Sequence, residues 1–222
     1  MMTRILAAAL VAASCLPARA QDPTPDAGFT PIFNGKDLTG WVYGRKANGE
    51  HKMGAGYAVE HGVLSSTVKD GGYLYTEKEY ADFTFRFEFR LTANAKSGIG
   101  LRAPLEGDPA YVGLEIQVLD DSGSEFRNLH PDQYHGSVYD VFAAKRGSQK
   151  DVGEWNTEEI TAKGRHVTVT VNGQVIVDVT LDDCKDEAKL KKHPGLQNPK
   201  GHLGILGQGS RVEFRNLRVK EL

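Results

Sequence analysis

Glu115 and Gln117 stand in the run Tyr111-Val-Gly-Leu-Glu-Ile-Gln-Val-Leu-Asp120. There Val112, Leu114, Ile116 and Val118 alternate with Tyr111, Gly113, Glu115 and Gln117. Period-two alternation predicts a strand with one apolar face and one face carrying a carboxylate, an amide and an aromatic ring. Gly98-Ile-Gly-Leu-Arg-Ala103 divides in the same way, with Ile99, Leu101 and Ala103 inward and Gly100 and Arg102 outward. If the two strands are neighbours, Arg102 stands beside Glu115. On a solvated face that pair is an ordinary cross-strand ion pair worth about 0.2–1 kcal/mol. On a concave face it is a base beside a cation, in the Glu, Gln, Arg and Tyr setting with which sheet sandwiches bind sugars.

The segment from Asp120 to Arg146 is the second place where chemistry could reside. It carries Asp120, Asp121, His130, Asp132, Tyr134, His135, Tyr139, Asp140, Lys145 and Arg146. Long connections in compact domains are disproportionately functional. A carboxylate–histidine set can move protons or hold a metal, but no H-x-x-x-H or similar ligand spacing occurs. His135 and Tyr139 also fit a plainer role as loop anchors. Trp155-Asn156 offers a stacking ring and an amide, or a core residue and a turn. Cys184, outside any histidine pattern, is expected to be inert.

These groups need a rigid support, and the chain supplies strands. Phe83, Phe85, Phe87, Phe89 and Leu91 alternate with Thr84, Arg86, Glu88 and Arg90. Val167, Val169 and Val171 lead into Asn172-Gly173 and a second β-branched run, the signature of a type I′ hairpin. Further strands are expected at 30–33, 57–59, 63–65, 72–75, 98–103, 111–119, 136–141, 154–160, 202–206 and 211–219. One short helix is expected at 182–192, capped by Asp182 or Asp183. The pattern predicts an all-β fold, a two-sheet antiparallel jelly-roll sandwich with its terminal strands side by side. The expected core includes Phe83, Phe85, Phe87, Phe89, Val112, Leu114, Ile116 and Val118.

The chain has 222 residues, 25 of them glycine, and a formal net charge of −2. It suits one domain, 29–222, after a flexible arm at 21–28. No half is strongly basic, which argues against nucleic acid as a partner. Residues 1–20 read as a signal peptide: Arg4, an uncharged apolar stretch, then Ala18-Arg19-Ala20 before Gln21. Its removal takes Arg4 and Arg19 and lowers the formal charge from −2 to −4. The expected location is periplasmic or secreted, with no transmembrane span; Ala13-Ser14-Cys15 offers a weaker reading as a lipid anchor. No G-x-S-x-G elbow, Walker A loop, G-x-G-x-x-G turn or H-E-x-x-H motif is present in the sequence.

Several segments, in order, resemble one family. They are Phe33-Asn-Gly-Lys-Asp-Leu-Thr-Gly-Trp41, Val59-Glu-His-Gly-Val-Leu64, Tyr80-Ala-Asp-Phe to Glu88-Phe-Arg90, and Ser97-Gly-Ile-Gly-Leu-Arg102. Gly113 to Asp120, Gly153-Glu-Trp-Asn156, Val171-Asn-Gly173 and Val212-Glu-Phe-Arg-Asn216 follow. Together they resemble the 3-keto-disaccharide hydrolase family from Phe29 to Leu222. The resemblance implies a concanavalin- or glucanase-like jelly roll, export, and an oligosaccharide or glycoside substrate oxidised to a ketone at C3. One departure stands out: Gln208 occupies the place where many relatives carry His in "GHG".

A C3 ketone acidifies the C2 proton, so the reading is a lyase or hydrolase that removes that proton and eliminates at C1. Glu115 or His135 is the expected base. Arg102 or a divalent metal is the electrophile, and Asp120 a ligand or orienting group. Gln117, Tyr139, Lys145, Trp155 and Asn156 are expected to bind the sugar. The alternative is a non-catalytic carbohydrate-binding module using the same concave face. Convergence of Glu115, Arg102 and His135 in one pocket would favour the enzyme.

Overall fold

The structure is a computed structural model that describes residues 27–44, 56–66 and 72–222. The expected signal segment with its expected cleavage site, Cys15 and most of the expected arm lie outside the described residues. In chain order the strands are β1 (Thr30–Pro31), β2 (Trp41–Tyr43), β3 (Tyr57–Glu60), β4 (Val63–Ser66), β5 (Gly72–Tyr80), β6 (Phe83–Leu91) and β7 (Lys96–Ala103). They continue with β8 (Leu114–Leu119), β9 (Trp155–Lys163), β10 (His166–Val171), β11 (Gln174–Thr180), β12 (Gly201–Gly207) and β13 (Val212–Glu221). Two short helices, α1 (Pro109–Val112) and α2 (Glu187–Lys192), lie between strands.

The strands form two antiparallel sheets. The larger is ordered β11-β10-β9-β6-β13-β4-β3, with β1 beside β13, and the smaller β2-β5-β12-β7-β8. Thr30 pairs with Val219, so the first and last described strands lie side by side. Between the sheets the inward residues of β6 form an aromatic row. Phe85 and Phe87 have ring centroids 4.9 Å apart, and Phe87 lies 6.0 Å from Phe214 of β13. Leu114, Ile116 and Val118 meet this row from β8. On the outer face of the larger sheet, the polar partners of the same alternation pair across strands: Arg86 with Glu159 at 2.7 Å and Arg215 with Glu88 at 2.8 Å.

Three expectations need correction. Residues 109–112 are a helical turn, because Asp108 accepts the Ala110 amide and Pro109 sits at the first helical position. Val112 therefore leaves the expected strand and the core. Residues 136–141 contribute only Val138, in isolated bridges to Ile116 and Phe142, rather than a strand. The helix expected at 182–192 divides into a 3₁₀ turn at Leu181–Asp183 and α2, whose cap is Asp186, accepting from Ala188 and Lys189. The hairpin at Asn172-Gly173 is present, both residues at positive φ as a type I′ turn requires.

Phe87 is fully buried and touches rings on two strands. Phe87→Ala is expected to cost about 3–5 kcal/mol in urea-unfolding experiments; a loss below about 1 kcal/mol would place β6 at the periphery.

Candidate functional site

Register decides which side chains of the smaller sheet share a face. Gly98 pairs with Gln117 and Gly100 with Glu115, while Leu206 and Gly204 of β12 pair with the same two glycines. On β5, Tyr73 pairs with Leu206 and Tyr75 with Gly204. Directly paired residues point to one side, so Lys96, Glu115, Gln117, Leu206, Tyr73 and Tyr75 project from the face opposite the core. Glycines keep this face low. A Cβ on Gly98 would lie 2.2 Å from Oε1 of Glu115, and one on Gly204 would lie 2.6 Å from the Tyr75 ring. The carboxyl of Glu115 therefore rests on the Gly98 backbone.

The result is a cleft of about 310 Å³, lined by Tyr73, Lys96, Asp108, Ala110, Tyr111, Glu115, Tyr139, Leu206, Gly207 and Gln208. That is the small end of ligand-pocket size. Glu115 is 4% exposed, and its Oε1 accepts a 2.7 Å hydrogen bond from Nε2 of Gln208. Burial pushes its carboxyl up to about 8; Asp108 adds to the rise, while Lys96 and Gln208 oppose it. Burial likewise lifts the Tyr73 phenol to about 12, with Asp108 and Glu115 adding to it. Nζ of Lys96 lies 5.7 Å from the centroid of the Tyr139 ring. Tyr111 is braced from behind by His193, at 5.2 Å between rings, and Nε2 of His193 lies 3.2 Å from Asp140.

Of the residues expected from sequence, Glu115 and Tyr139 meet in this cleft. Tyr139 arrives on a crossover that runs along β8: its amide donates to the Glu115 carbonyl, and Gly136 donates to that of Gln117. The same crossover buries Gln117, whose Nε2 donates to the Gln133 carbonyl at 3.2 Å, so Gln117 does not line the cleft.

Arg102 does not stand beside Glu115. Between the pairs Gly100–Gly204 and Ala103–His202, β7 has two residues where β12 has one. Arg102 occupies this bulge with φ of 49°, and a bulge reverses the alternation that follows it. Its guanidinium is buried on the Ala81 and Gly164 carbonyls, at 2.8 and 2.7 Å, and on Asp82.

His135 turns into the sandwich instead of the cleft. Its ring packs on Phe89 at 5.0 Å, and its Nε2 lies 3.5 Å from Oε2 of Glu158, an inward residue of β9. Among the described residues, no side-chain nitrogen or oxygen of this pair has a hydrogen-bond partner. Burial lowers His135 to about 3 and raises Glu158 to about 8, in each case favouring the neutral form.

Asp120 is occupied by its own turn, accepting from Asn94 and twice from Ser122. It lines a separate groove of about 400 Å³ with Asp121, Arg146 and Gln149. That groove is larger, but this carboxylate is already committed. Trp155 lies on the outer face of the other sheet, between the guanidiniums of Arg90 and Arg215. Asn156 accepts from Lys150 and Asn172 inside the hairpin region, and the exposed Lys145 pairs by its backbone with Ile176. None of these residues lines the Glu115 cleft.

Sequence reasoning missed Lys96, Asp108 and Tyr73. Extending the Gly98–Gly100 alternation two residues back would have found Lys96. The cap-and-proline pair Asp108-Pro109 would have marked a helix start facing the strand. Among the described residues, no group of three or more His, Cys, Asp or Glu is placed to hold a metal ion.

Residues 28–220 match the model of a family described as the 3-keto-α-glucoside-1,2-lyase-like domain. A 3-keto-disaccharide hydrolase of Bacteroides thetaiotaomicron is 26% identical, over 91% of this chain and 81% of its own length. A "putative glycosyl hydrolase" structure from Parabacteroides distasonis superposes with a TM-score of 0.69 at 26% identity, covering 88% of this chain and 94% of that one. A carbohydrate-binding module, CBM66 of Bacillus subtilis, shares the fold with a TM-score of 0.55 at 12% identity, over 82% and 96% of the two chains.

The buried pair makes stability depend on pH in both directions. Glu158 rises from 4.5 to about 8, so its contribution is complete below about 4.5 and is lost as pH climbs to 8. His135 falls from 6.5 to about 3, so its contribution is complete above 6.5 and is lost as pH drops to 3. Glu115 acts in the same direction as Glu158. The urea midpoint is expected to decline between pH 5 and 9, and Glu158→Gln to remove its share of that decline. A decline identical in Glu158→Gln and wild type would mean that Glu158 is in contact with water.

Proposed function

The chain belongs to the 3-keto-α-glucoside-1,2-lyase-like family, and we propose that its cleft removes the C2 proton of a 3-keto-glycoside and expels the substituent at C1. The observation that carries this reading is a buried carboxyl and an ammonium in one small cleft walled by three tyrosines. The lyase-like family and its 3-keto-disaccharide hydrolase relative agree with a glycoside as substrate.

In this reaction the ionised Glu115 takes the C2 proton, and the C–H electron pair moves toward the C3 carbonyl. Lys96 balances the charge that grows on the C3 oxygen. The charge then returns, a C1–C2 double bond forms and the C1–O bond breaks, its oxygen leaving with a proton from the cleft. Water adding across the new double bond would complete a net hydrolysis. A base that titrates near 8 is well matched to a weakly acidic carbon proton at neutral pH. Tyr73, Tyr111 and Tyr139 present ring faces and hydroxyls suited to a sugar.

Export is proposed on the sequence alone, with Gln21 as the first mature residue; intact mass of the exported protein tests it, and a lipidated Cys15 would replace it.

Incubation with a 3-keto-glucoside, with and without chelator, is expected to release the aglycone and an unsaturated 3-keto sugar. Glu115→Gln should lower kcat by about 10²-fold or more with little change in affinity. Because only ionised Glu115 accepts the proton, wild-type kcat/KM should rise with pH through a midpoint near 8 and level off above it. Binding of the keto sugar with no turnover at any pH would instead support a carbohydrate-binding module.

A further inference from the structure

Glu115 has two carboxyl oxygens in different surroundings. Oε1 lies against the Gly98 backbone and accepts from Gln208, whereas Oε2 has no hydrogen-bond partner among the described residues. Gln208 is the first residue after β12 and precedes Gly209, whose φ of 85° turns the chain away from the cleft. The register of β12 on β7, Leu206 with Gly98 and Gly207 with Ser97, continues to Gln208 opposite Lys96, on the face that Glu115 shares, and the Gln208 side chain reaches the Glu115 carboxyl from there. The other charged or titratable groups lining the cleft are Lys96 from β7, Tyr73 from β5, Asp108 ahead of α1, Tyr111 in α1, and Tyr139 from the crossover. None of these five is hydrogen-bonded to the Glu115 carboxyl among the described residues.

From this asymmetry we propose that Gln208 is a positioning residue for Glu115: its amide N–H pins Oε1 to the glycine floor and leaves Oε2 as the oxygen that meets the substrate. The inference deepens the function proposed above and rests on it for the identity of the substrate. Its physical basis does not depend on the substrate. A carboxyl that is flat on backbone, with one donor at 2.7 Å, is fixed in both rotation and depth. A primary amide can do this without itself competing for the proton, because neither its N–H nor its carbonyl titrates. A donor also favours the ionised carboxylate, which is the form a base needs. Without the amide, the carboxyl is free to rotate about its last bond, and Oε1 loses its only hydrogen-bond donor among the described residues.

The test uses Gln208→Met, which keeps length and removes the donor, together with Gln208→His, which restores an N–H. The ¹³C carboxyl resonance of Glu115, assigned through Glu115→Gln, reports its titration without any substrate. In Gln208→Met the Glu115 midpoint is expected to rise by about one pH unit. With a 3-keto-glucoside, kcat should fall about tenfold with KM within about threefold, and the pH–rate limb should move with the midpoint. Gln208→His should recover a large part of both. Where Gln208→Met does not fold, Gln208→Ala reads the same midpoint. An unchanged Glu115 titration in the folded variants overturns the proposal, as does a loss confined to KM. Wild-type protein that turns over no 3-keto-glucoside, with the midpoint still moving in Gln208→Met, overturns the functional reading and leaves the positioning role standing.

Discussion

Taking a carboxyl group out of water is the costliest local demand in this molecule, and the smaller sheet is arranged around meeting it for Glu115. Burying an ionised carboxylate without compensation is prohibitive, so such a group is neutralised, paired or given donors. Here the compensation is shared. Gln208 donates, Lys96 supplies nearby positive charge, and the upward displacement of the titration keeps much of the population neutral at pH 7. Gly98 is the geometric condition for all of this, since any side chain there would occupy the space of the carboxyl. The low glycine floor beneath Glu115 and Tyr75 is therefore part of the site's electrostatics as well as its shape.

The crossover that carries Tyr139 has its own constraint. It must reach across β8 and remain hydrogen-bonded while one of its residues, His135, points into the apolar interior. Its backbone is satisfied by Glu115, Gln117 and Asp121, whose carboxylate accepts the His135 amide. The His135 side chain meets the Phe89 ring and the Glu158 carboxyl. Two neutral groups in contact cost less than one lone charge, so the pair is tolerable as long as neither ionises. The wall of the cleft and the interior of the sandwich are thereby joined through five residues of chain, His135 to Tyr139.

Much of this was legible in the sequence, for a definite reason. Alternation is a property of the strand itself, so Phe83 to Leu91 and Leu114 to Leu119 declared their faces without knowledge of their neighbours. Glu115 was readable on that basis, as was the hairpin at Asn172-Gly173. What failed was information carried by interruptions. A single bulge at Arg102 reverses its face, and nothing in Leu101-Arg102-Ala103 announces it. The helical turn at Pro109–Val112 was announced, by Asp108-Pro109, and was overridden by an alternation extended three residues too far. His135 could not be assigned at all, because a crossover has no period and its side-chain direction is fixed by Phe89 and Glu158, far away in sequence. Gln208 stood out as a departure from a family pattern, but its contact with Glu115 depends on the register of β12 against β7.

The strand order of the larger sheet sets a schedule for its assembly. β13, the last strand described, lies between β6 and β4, and it also holds β1. During synthesis β3 and β4 are made before β6, yet neither can reach it until a strand more than a hundred residues later has been completed. β3 and β4 can pair with each other as a hairpin, but the other edge of β4 and the facing edge of β6 stay open until β13 is in place. Sheets closed by such distant pairings form slowly, because the chain entropy of closure must be lost before the contacts repay it. β13 is thus the clasp that holds the two halves of the larger sheet together.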